Sequence, residues 1–157
     1  PGIVNAGGTP CGIQIGAAFF DSAMSFALIR GGHIDVTVLG GLQVDEAGNL
    51  ANWMVPGKMV PGMGGAMDLV SGAKKVIVAM EHCTKDGEAR LLRLCNLPLT
   101  ARSRVSKVIT ELAVFKVSAA GFVLLETAPG VSIEMIRERT EAGFAISDDI
   151  KPMPLYS

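Results

Sequence analysis

The chain has 157 residues, of which 49% are apolar and only 18% are charged, and its formal net charge is −1. Soluble chains usually carry about 25% charged residues, so we expect an obligate interface, or a piece of something larger. A near-neutral chain without a basic cluster excludes nucleic acid as the main partner, and no apolar run approaches the roughly 18 residues that span a bilayer. Three cysteines without framework spacing indicate free thiols and a cytoplasmic protein.

The first third of the chain predicts a loop region followed by one helix. Residues 1–18 are rich in glycine and predict a strand and a loop. Residues 19–33, FFDSAMSFALIRGGH, predict a helix. Asp21 or Ser22 would cap its start, and Gly31 would end it in the left-handed conformation.

Strand and helix patterns then alternate. IDVTVLGG predicts a strand that stops at Gly40 and Gly41, and VDEAGNL predicts a turn. After a loop, GAMDLVSGA predicts a short helix and KKVIVAMEH a second buried strand. This alternation predicts an α/β unit with a parallel sheet.

The last third predicts a hairpin and a final helix. SRVSKVITELAVFKV predicts a short helix that passes into a strand, and residues 111–128 predict a β-hairpin. SIEMIRERTEA predicts a helix capped by Ser132. The fold class is therefore α/β, with an open, mostly parallel sheet flanked by helices and a C-terminal β-hairpin and helix. We expect one domain over residues 1–157 that lacks an N-terminal part, because the chain opens on turn residues without a Met.

Several catalytic patterns fail on spacing. The P-loop would need Lys followed by Ser or Thr, but Lys58 precedes Met59. GMGGAM lacks the third glycine of a dinucleotide fingerprint, because Met67 stands there. The Glu81–Cys83 segment lacks the paired spacing of a zinc site, and no nucleophile elbow for serine hydrolysis is present.

The glycine-rich stretch around Gly64 and Gly65 leaves two interpretations open. Glycine lets a backbone approach a ligand closely, and the first N–H groups of the following helix are unpaired, so they can hold an anion or an oxyanion. Methionines around it offer adaptable apolar surface, and Lys58 could reach a phosphate or carboxylate. The same glycines would equally suit a tight connection with close helix–sheet packing.

A long, ordered set of segments resembles a known family. The segments are NAGG, SFALIRGGHID, VLGGLQVDEAGNLANWMVPGKMVPGMGGAMDLVSGAKKVIVAMEH, LPLTA and ITELAVF. Together they resemble the β subunit of the 3-oxoacid and acetate CoA-transferases from about Val4 to Phe144. The resemblance implies a transferase of short-chain fatty acid and ketone-body metabolism that has no tightly bound cofactor and uses coenzyme A as a substrate.

The resemblance also implies a mechanism. In this family a glutamate in a Ser-Glu-x-Gly motif attacks an acyl-CoA and forms a glutamyl-CoA thioester. That motif precedes the segment that resembles VNAGG, so we expect the nucleophilic glutamate upstream of Pro1 and the chain alone to be inactive. Glu88 does not fit the motif, and Glu141 lies at the end of the last predicted helix.

The resemblance assigns roles residue by residue. Gly65 is expected to donate its N–H to the thioester oxyanion, with Gly64 second. Asn52 and Lys58 are expected to position coenzyme A or its loop, and Gly40 and Gly41 to end a strand at the same cleft. An α subunit is the expected partner, in an αβ pair that doubles to a heterotetramer. The acyl donor and acceptor stay open.

Two rival functions remain at this stage. The chain could be an assembly or regulatory domain that retains the fold without the chemistry, which the missing glutamate motivates. It could also be a relative of the sugar-phosphate isomerases or deaminases, although the Met-rich glycine loop suits a pantetheine arm better.

Overall fold

The computed structural model describes residues 2–5, 8–57 and 64–154. Its elements in chain order are α1 (Ser22–Arg30), β1 (Val36–Gly40), β2 (Gln43–Asp45), β3 (Leu50–Ala51), α2 (Ala66–Gly72), β4 (Lys75–Ala79), β5 (Leu91–Leu92), β6 (Val105–Ile109), β7 (Ala113–Ser118), β8 (Gly121–Thr127), α3 (Ile133–Glu138) and β9 (Phe144–Pro152).

The main sheet has six strands in the order β1-β4-β6-β7-β8-β9. The pairs β1–β4, β4–β6 and β8–β9 are parallel, and β6, β7 and β8 form an antiparallel meander. This confirms the predicted open, mostly parallel sheet and the hairpin, which is β7–β8. A smaller sheet, β3-β2-β5, lies beside it.

Buried and more exposed residues alternate along β4, so this strand buries one face. In β4, Val76 and Val78 are fully buried whereas Lys75 and Ala79 are exposed. Burial of these branched side chains against α2 and the meander supplies the core, at about 25 cal/mol for each Å² of apolar surface removed from water. The core includes Val70 of α2, so this helix is fixed to the buried face.

The helix caps follow the sequence with one exception. Asp21 Oδ1 accepts from Met24 N at 2.8 Å and Ser132 Oγ accepts from Met135 N at 3.2 Å, which confirms both caps. The left-handed cap at Gly31 is wrong. Its N–H still donates to the Ala27 carbonyl and its φ is −72°, so the chain reverses one residue later, at Gly32, where φ is +74°.

Several other segments differ from the sequence-based expectation. The helix predicted from residue 103 is wrong, because those residues form β6, held between β4 and β7. The N-terminal strand is wrong as well, since the described part of residues 1–18 holds only an isolated bridge between Val4 and Pro10. Strands β2, β3, β5 and β9 were not predicted. The turn predicted for VDEAGNL joins the short strands β2 and β3 and includes the ends of both. Strand β5 has only two residues, and β9 is polar and mostly exposed.

The far end of α2 is held by one side chain. Arg104 donates from Nε to the Val70 carbonyl at 2.6 Å, and from Nη2 to the carbonyls of Ser71 at 3.1 Å and Ala73 at 2.9 Å. The last carbonyls of a helix have no partner within the helix, so Arg104 supplies the missing donors. Arg104 thereby fixes the C-terminal end of α2, the helix that starts directly after Gly65.

Candidate functional site

The carboxyl ends of β1, β4 and β6 lie at one edge of the sheet, because the three strands are parallel neighbours. The segments that follow them carry Gly41, Glu81 and Glu111 respectively. Ligands of open α/β sheets gather outside the carboxyl ends of the strands. This edge is therefore the candidate active site.

Asn52 is joined to the end of β1. Its Nδ2 donates to the Gly40 carbonyl at 3.3 Å, and its Oδ1 accepts from Thr100 Oγ1 at 2.6 Å. The Asn52 main-chain N–H also donates to Thr100 Oγ1, at 3.2 Å. The structure thus brings two predicted site residues together, and these bonds suit a role for Asn52 in holding the loop.

Gly40 and Gly41 differ in what surrounds them. A Cβ added to Gly41 would lie 2.7 Å from Val78 Cγ1 and 3.0 Å from Met80 Sδ, so any side chain there would overpack the core. A Cβ added to Gly40 would meet nothing within 4 Å. Gly40 is therefore the one of the two with open space beside it.

The Gly64–Gly65 turn leads into α2 and packs on α1. Gly64 has a φ of +52°, the left-handed region that favours glycine, whereas Gly65 has a φ of −84° that any residue can adopt. A Cβ at Gly65 would lie 2.9 Å from Phe26 Cε1. Gly65 occupies the N-cap of α2, and among the described residues no side chain caps this helix. The prediction for Lys58 lies outside the described residues.

An open groove runs along the same edge. One cavity of about 610 Å³ adjoins a second of about 480 Å³, and both are lined by Glu81, Thr84 and Lys85. The first is also lined by Cys83, Gly87, Glu111 and Arg139. Volumes of this size are typical of ligand sites. Sequence reasoning treated this segment as a strand end with buried thiols; the acidic residues that follow two neighbouring strands were the available signal.

His82 lies behind the groove and is fully buried. Its ring nitrogens are 3.0 Å from Thr110 Oγ1 and 2.9 Å from Thr140 Oγ1, and its main-chain N–H donates to Glu111 Oε2 at 2.9 Å. Burial lowers the pKa of His82; the nearby Glu111 carboxylate opposes this and Arg139 adds to it. The imidazole is therefore neutral at neutral pH, and sequence reasoning did not find it.

The cysteines near the site are poor nucleophiles. Burial, assisted by the neighbouring Asp45 carboxylate, raises the pKa of Cys95 to about 12. Burial also raises the pKa of Cys83. Because the thiolate is the reactive form, neither thiol is activated for covalent catalysis.

Two glutamates in Glu-Ala-Gly sequences accept hydrogen bonds from main-chain N–H groups. Glu46 Oε1 accepts from Gly143 N at 2.9 Å, and Glu141 Oε1 accepts from Arg93 N at 3.3 Å. Sequence reasoning considered Glu141 and overlooked Glu46. Both carboxylates hold loops together.

Within residues 2–5, 8–57 and 64–154, no group of three or more His, Cys, Asp or Glu side chains is placed to hold a metal ion.

Comparison with known proteins decides the family. The family model described as Coenzyme A transferase matches residues 2–139. The chain belongs to the coenzyme A transferase family. Within the family it is similar to β subunits. It is 63% identical over 153 residues to the acetate CoA-transferase β subunit of Haemophilus influenzae, covering 98% of this chain and 69% of that one.

Other relatives agree. The acetate CoA-transferase β subunit of Escherichia coli K12 is 63% identical, with 96% of this chain and 69% of that one covered. One subunit of a probable succinyl-CoA:3-ketoacid coenzyme A transferase of Bacillus subtilis is 53% identical, with 94% and 68% covered. The resemblance to the β subunits of this family is confirmed.

Solved structures show the same fold. An acyl-CoA transferase from Escherichia coli O157:H7 is 27% identical with a TM-score of 0.77, and the match covers 91% of this chain and 33% of that one. The decarboxylase AibA/AibB is 24% identical with a TM-score of 0.72, covering 90% and 60%. The second likeness concerns the fold alone, because one fold can serve several chemistries.

Among the described residues, no helix is both long and apolar enough to cross a membrane.

Proposed function

We propose that this CoA-transferase β-type chain takes part in moving CoA from an acyl-CoA to a short-chain carboxylate or 3-oxoacid, through a glutamyl-CoA thioester. The observation that carries the proposal is the 63% identity to an acetate CoA-transferase β subunit over 98% of the chain. The name of the Bacillus subtilis relative, a probable succinyl-CoA:3-ketoacid coenzyme A transferase, supports a 3-oxoacid as the alternative acceptor. The groove at the carboxyl edge supports the proposal, because it offers a ligand-sized space.

The proposed reaction proceeds by covalent exchange. A glutamate carboxylate attacks the thioester carbonyl of the donor, the C–S bond breaks, and an acyl-glutamyl anhydride and CoA thiolate form. The thiolate then attacks the glutamyl carbonyl, giving a glutamyl-CoA thioester and releasing the donor acid. An acceptor carboxylate reverses both steps. We place this glutamate in a Ser-Glu-x-Gly motif outside the 157 residues.

The Gly64–Gly65 turn has the proposed role of stabilising charge. Each attack places negative charge on a carbonyl oxygen, and N–H groups at a helix start are free to bind it. We assign the donor to Gly65, with Gly64 as the second choice. We assign four residues to the binding or positioning of coenzyme A: Asn52, Gly40, Lys58 and Gly41. Asn52 and Gly40 are hydrogen bonded to each other.

An α subunit is the proposed partner, in a heterotetramer of two αβ pairs in the cytoplasm. Two relatives are β subunits by name, which supports a partner of the α type. Exposed apolar side chains support it too: Phe19 is 75% exposed and Val38 61%. Val36, on the same face of β1 as Val38, is 47% exposed, and neighbouring exposed apolar side chains of this kind are typical of subunit interfaces.

Chemical trapping tests the proposal. The β subunit that contains this chain is assembled with its α subunit, incubated with an acyl-CoA, and treated with borohydride or hydroxylamine. We expect mass spectrometry to find one modified glutamate, in a Ser-Glu-x-Gly sequence, and none without acyl-CoA. A complex that yields no modified glutamate would contradict the mechanism and favour a non-catalytic assembly domain. Modification of Glu81 or Glu111 would instead relocate the nucleophile to the groove.

A further inference from the structure

Three segments that lie far apart in the sequence meet at the His82 ring. Thr110, just after β6, is 28 residues away from His82, and Thr140, just after α3, is 58 residues away. Each of these buried residues is adjacent in the chain to a residue that lines the groove: Thr110 to Glu111 and Thr140 to Arg139. The ring therefore connects two segments that both contribute a lining residue to the groove.

The hydrogen-bond network assigns the tautomer of His82. Thr140 Oγ1 donates its proton to the Ile136 carbonyl at 2.7 Å, so it can only accept from the ring, and His82 Nε2 carries the hydrogen. Thr110 Oγ1 already accepts from the main-chain N–H groups of Leu112 and Ala113, so it can only donate, and Nδ1 of the neutral ring accepts its proton at 3.0 Å in preference to the Ala113 carbonyl at 3.2 Å. Both ring nitrogens are thus used in one definite orientation, which fixes the two threonines relative to each other.

Further contacts fix the lining residues themselves. The His82 main-chain N–H holds Glu111 Oε2 at 2.9 Å, which orients that carboxylate along the groove wall. Cys83 Sγ lies 3.7 Å from the Arg139 carbonyl and donates to it. Among the described residues the Arg139 guanidinium forms no ion pair, so it is free to bind an anionic group.

We propose that His82 is a positioning residue: its main-chain N–H holds Glu111, and through Thr140 it places Arg139, so that the Arg139 guanidinium stays unpaired in the groove and binds an anionic part of the substrate. The anion is a phosphate of CoA or the carboxylate of the acid. The inference rests on the proposed function, since it assigns the groove to that reaction. His82 itself touches no substrate, because its ring is fully buried.

The first experiment separates substrate binding from turnover. In the assembled complex, His82→Gln can keep a donor towards Thr140 but loses the acceptor for Thr110. We expect KM for acyl-CoA or for the carboxylate to rise about tenfold, with kcat within about threefold of wild type. A rise for acyl-CoA alone identifies a CoA phosphate as the bound anion, and a rise for the acid alone identifies the carboxylate. Leu124→Val, in the core of β8, is the control, and both KM values should stay within about twofold.

The threonine provides a rescue. Thr140→Val removes the hydroxyl with little change of shape and should reproduce the KM increase of His82→Gln, whereas Thr140→Ser keeps the hydroxyl and should restore KM. If His82→Gln and Thr140→Val match the Leu124→Val control in KM, His82 is only a core residue and the inference is wrong. If the wild-type complex transfers no CoA, the proposed function fails instead.

A spectroscopic measurement is independent of activity. Nitrogen NMR of histidine-labelled protein should show His82 neutral with Nε2 protonated at about pH 7, since burial lowers its pKa. The charged groups facing the ring are Glu111, which favours protonation, and Arg139, which opposes it. A cationic ring, or a proton on Nδ1, at that pH would overturn the hydrogen-bond assignment on which the inference depends.

Discussion

Replacing Gly65 with valine should separate two roles of this position, packing and catalysis. The added Cβ would lie 2.9 Å from Phe26 Cε1 and 3.0 Å from Phe26 Cζ, so the ring must move. Overpacking of this kind costs about 1–3 kcal/mol, and valine is a poorer N-cap than glycine. The negative φ of −84° is one that other residues also adopt, so the contact with Phe26 is the main cost. We therefore expect a loss of about 2 kcal/mol in the free energy of unfolding.

The effect on turnover should be larger. Valine keeps the main-chain N–H, but its branched side chain would obstruct the close approach of the thioester oxygen to that donor. An oxyanion interaction that can no longer form costs about 10²–10³ in kcat, which the packing loss alone does not produce. The double variant Gly65→Val/Phe26→Leu removes the two ring atoms that meet the new Cβ. We expect urea unfolding to show partial recovery of stability and size-exclusion chromatography to show normal assembly with the α subunit, while kcat stays about 100-fold low. If kcat recovers together with stability, Gly65 serves packing only.

Two further variant pairs test the surroundings of the site. Gly41→Ala should lower the free energy of unfolding by about 1–3 kcal/mol, because its Cβ would lie 2.7 Å from Val78, whereas Gly40→Ala should stay within about 0.5 kcal/mol of wild type. Equal losses in urea unfolding would contradict this account. Arg104→Met should lower stability by about 2 kcal/mol, seen as about 4–8 °C in Tm, since three bonds to the end of α2 are lost from a partly exposed guanidinium. Arg104→Lys should lose less, and an unchanged Tm for Arg104→Met would refute the capping role.

The parts of the fold that sequence predicted well are those with strong local signals. The apolar run from Val76 to Val78 and the glycines that stop β1 predicted two parallel strands, and Asp21 and Ser132 predicted two helix caps. Each of these signals lies within a few residues of its effect. Local chemistry decides such elements before any distant contact forms.

The parts that sequence missed depend on distant partners. Residues 105–109 are a strand because they pair with both β4 and β7, and nothing in SRVSKVI distinguishes that outcome from a helix. His82 stands between a glutamate and a cysteine in a polar stretch, so its complete burial follows only from Thr110 and Thr140. The family resemblance assigned a role to the glycine turn, which stays a prediction, whereas the groove lined by Glu81 became visible only from the assembled fold.

The β6–β7–β8 meander has a consequence for the order of folding. Its three strands are neighbours in sequence, so pairing them closes only short loops and costs little chain entropy. The groove instead needs contacts across 28 and 58 residues, which can form only once the meander presents Thr110. We expect the groove to close late, so that changes at His82 accelerate unfolding and leave the rate of refolding nearly unchanged.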